Sequence, residues 1–271
     1  MTQEKSVIYF SHGNGFPSLS YNKMLNHLSN QYQYDVYVMN KIGHDSHYPI
    51  TDNWAELVNE LIADIERQTD VPVIAVGHSM GGVLSYMASI KRPDLFRAVI
   101  TLDSIFVRKL RLMMLRLAKW VGLIEWVTPA KRTKNRRNYW ENRAAVEKYL
   151  HNNPFFKSLD PDCLNDYMVH GIKEDEDGFH LVFNREREYQ IYCTIPHLFA
   201  LFNQQKRDIP SVLIYGQQTQ VLKPSDIRAA RKLYHMRCLP MPGTHMFPMQ
   251  YPLETANKIH EVILELNDIV I

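Results

Sequence analysis

Residues 73–84 read VIAVGHSMGGVL. Four apolar residues run into Gly77-His78-Ser79-Met80-Gly81, and the chain then turns apolar again from Gly82 to Ile90. A short β-branched run bounded by glycine reads as a buried strand, and the stretch after it as a helix. In that setting the pentapeptide fits G-x-S-x-G, a sharp strand-to-helix turn that lifts a serine oxygen clear of the sheet. Side chains at 77 and 81 would collide with neighbouring elements. Met80, opening the helix, is placed to offer its backbone N–H to a developing oxyanion. A small-residue turn that only packs a helix on a strand is the plainer reading, and the flanking apolar runs favour the first.

Outward from this turn, five further apolar runs look like strands covered on both faces, because alternation with polar residues is mostly missing. They are VIYF (7–10), VYVM (36–39), AVITL (98–102), SVLIY (211–215) and RCLPM (237–241). Helical spacing appears at 54–65, with Leu57, Leu61, Ile62 and Ile65, and at 253–266, with Ala256, Ile259, Val262 and Ile263. Strands and helices alternate, which predicts an α/β fold with a mostly parallel sheet of about six strands flanked by helices. More than a hundred residues separate AVITL from SVLIY, too many for a simple crossover. That interval holds helical patterns near 105–126 and 138–150, a hairpin pattern at GFHLVF (178–183), and helical stretches either side of Pro196 within 185–201. The expected organisation is a core of 1–105 and 208–271 with a helical cap inserted at 106–207. The cap would lie over the C-terminal edge of the sheet, where ligands of open α/β sheets bind.

Composition bounds the rest. A chain of 271 residues, 45% hydrophobic and 22% charged, is ordinary for a globular protein with a core that needs no staples. Three cysteines, Cys163, Cys193 and Cys238, are widely spaced and form no CxxC pair. This argues against a disulfide framework or a zinc site and suits a reducing compartment. No signal-peptide core and no membrane-length apolar run is present, so a cytoplasmic location is expected. Histidines show no HExxH or similar metal spacing.

Two more segments carry chemistry. His12-Gly13-Asn14-Gly15-Phe16-Pro17 follows the first strand, and Pro242-Gly243-Thr244-His245-Met246 lies between the last strand and the last helix. With the serine turn, they resemble the α/β-hydrolase superfamily, in particular its serine esterase and lipase-like branch with a helical cap. The likeness covers 7–104 and 208–268 well and the cap only loosely. RPDLFRAVITLDS (92–104) resembles the stretch after the nucleophile helix in many members. The resemblance implies Ser79 as nucleophile, His245 as its base, and an oxyanion hole formed by the backbone N–H groups of Met80 and Asn14, with Gly15 the near alternative. His12 and His78, within the motifs, are expected to have structural hydrogen-bonding roles, and His44, in KIGHDSHYP, a packing role. Many members open with an antiparallel hairpin that this chain is expected to lack.

The acid departs from the commonest pattern. There an aspartate follows the penultimate strand as G-x-x-D, but this chain reads Gly216-Gln217-Gln218-Thr219. Asp103, closing AVITL, preserves the order Ser…Asp…His and is the first choice. Asp226 is the second; Ser225 before it looks like a helix N-cap, where an acid simply suits the helix dipole. A dyad with no acid, or a chain that has lost catalysis, is the remaining option.

Charge is concentrated in 108–137, which carries ten basic residues and one acid, a local +9 that leaves −7 for the rest. Leu110, Met113, Met114, Leu117, Trp120, Val121 and Ile124 recur there at helical spacing. The expected arrangement is a half-buried cap helix with its apolar face on the pocket and its charges in water. An amphipathic helix that touches a membrane or lipid surface is the alternative, and steering of anionic substrates a third use. No motif points to nucleic acid. Phe16, Trp120, Trp126, Trp140 and Phe247 are candidates to line an apolar acyl pocket, Phe16 first among them.

Together these readings imply a serine hydrolase that cleaves a carboxylic ester or similar small acyl substrate through an acyl-enzyme, with no metal or organic cofactor. A C–C bond hydrolase or perhydrolase could run on the same triad, and a non-catalytic ligand-binding homologue could keep the pocket. Dehalogenase and epoxide hydrolase relatives carry aspartate where Ser79 stands.

Overall fold

The computed structural model describes residues 6–198 and 209–269. Six parallel strands form the central sheet: β1 (Val7–Ser11), β2 (Asp35–Met39), β3 (Val73–His78), β4 (Phe96–Leu102), and, after the long interval, β8 (Ser211–Gly216) and β9 (Arg237–Met241). Their order is β2-β1-β3-β4-β8-β9. Each strand foreseen from its apolar run is present, and among the described residues no strand precedes β1.

Period-two alternation divides the core. Ile8, Phe10, Ile74, Val76, Ile100 and Ile214 pack on one face with α1 (Asn22–Tyr32) and the last helix, Pro252–Ile269. Val7, Tyr9, Val73, Ala75, Val99 and Leu213 pack on the other with α2 (Ala55–Gln68) and α3 (Met80–Lys91). Both faces are thus covered, which is why these strands read as continuous apolar runs. Leu57, Leu61 and Ile65 of α2, and Ala256, Ile259 and Ile263 of the last helix, are all buried as their spacing predicts.

The interval between β4 and β8 departs from expectation in detail. It opens with α4 (Lys109–Trp120) and includes the helices Arg143–Asn152, Pro161–Gly171 and Arg185–Cys193. It also holds a three-stranded antiparallel sheet, ordered β5-β7-β6, of β5 (Tyr139–Trp140), β6 (Ile172–Asp175) and β7 (Gly178–Leu181). The pattern at 178–183 is one arm of this sheet; the stretch near 138 enters it before turning helical at Arg143. The helix expected after Pro196 falls partly on 199–201, outside the described residues. Hydrogen bonds tie the interval to loops at the C-terminal ends of the core strands. Asn14 Nδ2 donates to Glu188 O at 3.0 Å, Trp54 Nε1 to Ile191 O at 2.9 Å, and Asp160 N to Met249 O at 2.8 Å.

Helix α4 corrects the expected orientation of its apolar face. Of its stripe, Leu110, Met113, Met114, Leu117 and Trp120 are exposed, and only Leu112 of the helix is buried. Arg111 and Lys119 instead face the body, where they pair with Asp226 and Asp52. The polar side is drawn inward by those carboxylates, and Leu112 is the apolar anchor beside them.

Candidate active site

Strand register brings the candidate residues to one edge. His78 pairs with Leu102, and Leu102 with Ile214, so β3, β4 and β8 end nearly level. Ser79 and Asp103 are the next residues. The Ser79 N–H donates to Leu102 O at 2.9 Å, and the Asp103 N–H to Ile214 O at 2.8 Å. Both sit at positive φ, 53° for Ser79 and 48° for Asp103. Non-glycine residues seldom hold that conformation, which costs about 1–3 kcal/mol and collects at functional sites.

The turn at Ser79 is possible because of its glycines. A Cβ at Gly77 would lie 2.4 Å from Gly82 N, and one at Gly81 would lie 2.1 Å from Ser11 O. Helix α3 therefore starts directly against β1 and β3. Met80 is its first residue, so its N–H is one of the donors that the helix cannot satisfy internally.

His245 lies four residues beyond β9, and its Nδ1 is 2.7 Å from Asp103 Oδ2. A carboxylate only accepts, so Nδ1 carries the proton and the neutral ring presents its lone pair at Nε2. Asp103 is fully buried. Oδ2 also accepts from Thr219 Oγ1 at 2.6 Å, and Oδ1 from Gly216 N at 2.9 Å. Thr219, the residue in the place of the commoner acid, thus holds the carboxylate that reaches His245 from the neighbouring strand. Its role was not foreseen; the only signal was the break in the G-x-x-D pattern.

Asp226 is elsewhere. It is buried, accepts from the Lys223 N–H at 3.0 Å and from Arg111 at 2.7 Å, and caps the helix Pro224–Leu233. The N-cap is Lys223 rather than Ser225, since Pro224 takes the first helical position, which its missing N–H suits.

Two buried histidines near the site have defined tautomers. His78 is buried; its Nε2 donates to His245 O at 2.9 Å and its Nδ1 accepts from the Tyr21 hydroxyl at 2.7 Å. It therefore ties the serine turn to the backbone of the histidine loop. Burial, with His245 adding, holds its pKa well below the usual imidazole value. His12 Nδ1 donates to Gly13 O and Nε2 accepts from Ile42 N, both at 2.8 Å; burial lowers its pKa to about 4. His44 is lowered to about 4 by the same cause.

These shifts fix a pH dependence. Between pH about 4 and about 6.5 the unfolded chain binds a proton at His12 that the folded chain refuses. Its contribution is complete above 6.5 and lost as the pH falls through 4, about 3 kcal/mol in all. His44 and His78 act in the same direction. Glu60, raised to about 7 by burial, opposes them, and its contribution fades as the pH rises from 4.5 to 7. The expected net result is a lower urea midpoint at pH 4.5 than at pH 6.5. An equal or higher midpoint at 4.5 would contradict this account of the buried histidines.

A cavity of about 790 Å³ opens beside the loop after β1 and is lined by Asn14 and Phe16, among others; Ser79, Met80, Asp103 and His245 are not in its wall. The loop after β1 also borders the serine turn, since a Cβ at Gly13 would lie 3.0 Å from His78 Nδ1. Trp126, Phe155 and Phe156 contribute apolar surface, and Lys131, Arg132 and Arg137 positive charge. Arg136 makes a two-pronged pair with the buried Glu188, at 2.9 and 2.7 Å, and also reaches Tyr167 OH at 2.7 Å. Sequence spacing gave no sign of this pair, whose members lie 52 residues apart. Of the other aromatic candidates, Trp120 is exposed outside the cavity, while Trp140 and Phe247 are core. Among the described residues no group of three or more histidine, cysteine, aspartate or glutamate side chains could hold a metal ion.

The sequence model described as "Alpha/beta hydrolase family" matches residues 8–258. A curated relative, the monoglyceride lipase homolog of Monkeypox virus, is 27% identical over 110 residues, 38% of this chain and 40% of the relative, so the match spans well under half of either protein. Among solved structures, E-2-(acetamidomethylene)succinate hydrolase superposes with a TM-score of 0.75 at 19% identity, covering 96% of this chain and 91% of that one. The peroxisomal alpha-beta-hydrolase of Saccharomyces cerevisiae gives 0.72 at 15% identity, covering 96% and 76%. At such identities these likenesses concern the fold.

Proposed function

The chain belongs to the alpha/beta hydrolase family, and we propose that within it the protein is a serine hydrolase acting on a carboxylic ester or similar acyl substrate. The observation that carries this reading is the buried Asp103 carboxylate on His245 Nδ1. It orients the ring so that Nε2 is the basic nitrogen, which is what a serine nucleophile requires. Ser79 Oγ attacks the carbonyl as His245 takes its proton. The Met80 and Asn14 N–H groups stabilise the oxyanion of the tetrahedral intermediate. His245 then returns the proton to the leaving group, and water, activated by the same nitrogen, hydrolyses the acyl-enzyme. Asp103 stabilises the imidazolium in both halves.

Phe16 faces the cavity beside Asn14 and is assigned to the acyl group. Residues 106–207 are assigned as a cap on a core of 1–105 and 208–271, supported by the hydrogen bonds from Glu188, Ile191 and Asp160 to the core loops. The monoglyceride lipase homolog among the relatives favours an ester over other acyl bonds. The three cysteines are free, which supports a cytoplasmic setting.

The reading is tested with a fluorophosphonate. A single covalent adduct is expected on Ser79, located by peptide mass spectrometry, and none on Ser79→Ala. Folded wild-type protein that forms no adduct would overturn the hydrolase assignment and return the non-catalytic reading.

A further inference from the structure

We propose that helix α4 and the turn after it form a docking surface for an anionic lipid membrane, lying flat in its interface. The claim rests on a helix that presents the wrong side to water. Leu110, Met113, Met114, Leu117, Trp120 and Val121 fall within one third of the helix circumference and are 47–83% exposed, Trp120 most of all at 83%. In the turn and short helix that follow, Leu123, Trp126 and Val127 are 51–69% exposed. A helix of a globular protein turns such a stripe inward. Here the inner side is occupied by Leu112 and by Arg111 and Lys119, held on Asp226 and Asp52 of the core. The outward stripe is thus fixed by ion pairs and does not lie open for want of a place to pack. Scattered exposed apolar residues need no explanation, but six on one face of a helix mark an interaction site.

Charge selects the occupant. Arg108, Lys109 and Arg116 are exposed along the flanks of α4, and Lys131 and Arg132 beside Trp126. From 108 to 132 there are seven basic residues and one acid. A second copy docked symmetrically would set this charge against itself, which is costly. Anionic headgroups neutralise it, while tryptophan, leucine and methionine enter the acyl boundary. A helix of 12 residues, about 18 Å long, suits lying in the interface. Among the described residues no helix is long and apolar enough to cross a membrane.

The test reads binding, not catalysis, so it stands or falls separately from the hydrolase assignment. Wild-type protein is mixed with phosphatidylcholine vesicles with and without phosphatidylglycerol, and partitioning is followed by flotation and tryptophan emission. Trp54 and Trp140 are buried, so a blue shift reports on Trp120 and Trp126. Partitioning at least about tenfold stronger into the anionic vesicles is expected, since each basic residue near the surface contributes about fivefold. The pair Leu117→Ser and Trp120→Ser, at exposed positions, should keep the melting temperature and lose the binding. The pair Lys109→Gln and Arg116→Gln should keep the apolar stripe and lose the preference for phosphatidylglycerol. Equal partitioning into both vesicle types, or full binding by the Leu117/Trp120 pair, would overturn the proposal. So would a dimer that the same pair dissociates, which would make the surface a contact between copies.

Discussion

Replacing Asp103 by asparagine is expected to lower kcat for an acyl ester by about 10⁴-fold with little change in KM. The reason lies in the three hydrogen bonds that the carboxylate accepts. Oδ1 receives the Gly216 N–H, a backbone donor that cannot turn, so the amide oxygen must stay there. The amide nitrogen then takes the place of Oδ2, between Thr219 Oγ1 and His245 Nδ1. The Thr219 hydroxyl can rotate to accept. His245 can accept only by moving its proton to Nε2, and in that tautomer it cannot take a proton from Ser79. Asp226→Asn provides the contrast. Turnover should stay near wild type, while stability falls by about 1–3 kcal/mol as Arg111 loses its charged partner. Steady-state kinetics of the two variants decide the matter. Near wild-type turnover in Asp103→Asn, with loss of orders of magnitude in Asp226→Asn, would move the acid to the helix after β8.

Gly81→Ala is expected to cost more than about 4 kcal/mol and lower Tm by more than about 10 °C. The new Cβ would lie 2.1 Å from Ser11 O, 2.4 Å from Ser11 C and 2.7 Å from His12 O, all of them backbone atoms. None can swing aside, so α3 must lift off β1 or β1 must leave its ladder. Gly122→Ala is the control. Gly122 has positive φ, 72°, but nothing lies within 4 Å of its would-be Cβ. It should lose only the left-handed strain, about 1 kcal/mol. Thermal unfolding of both variants checks the difference. A Gly81→Ala protein that melts within a few degrees of wild type would mean that the turn is looser than its contacts imply.

The six core strands were legible because strands covered on both faces read as nearly continuous apolar runs. Ser79 was legible from its glycines, and His245 and Asp103 from their places after strands. The three-stranded sheet was not. β5 is two residues long, and β6 reads Ile-Lys-Glu-Asp with only Ile172 buried, so neither shows a period. Helix α4 failed differently. Its stripe was found, but periodicity has no sign: it says that one side is apolar, not which side faces inward. That choice was made by Asp52 and Asp226, distant in sequence and reached only through the fold. The Arg136–Glu188 pair escaped for the same reason, since a charged residue in a basic run reads as solvated until a buried partner is seen.

The level ends of β3, β4 and β8 have a mechanical consequence. Ser79 hangs from Leu102, Asp103 hangs from Ile214, and Gly216 grips the Asp103 carboxylate. Ser79 and Asp103 are therefore as stiff as the centre of the sheet, because the same rungs that join the strands set their spacing. Among the described residues, those from 104 to 209 add no strand to that sheet. The alignment of Ser79 and Asp103 is carried by the strands of that sheet.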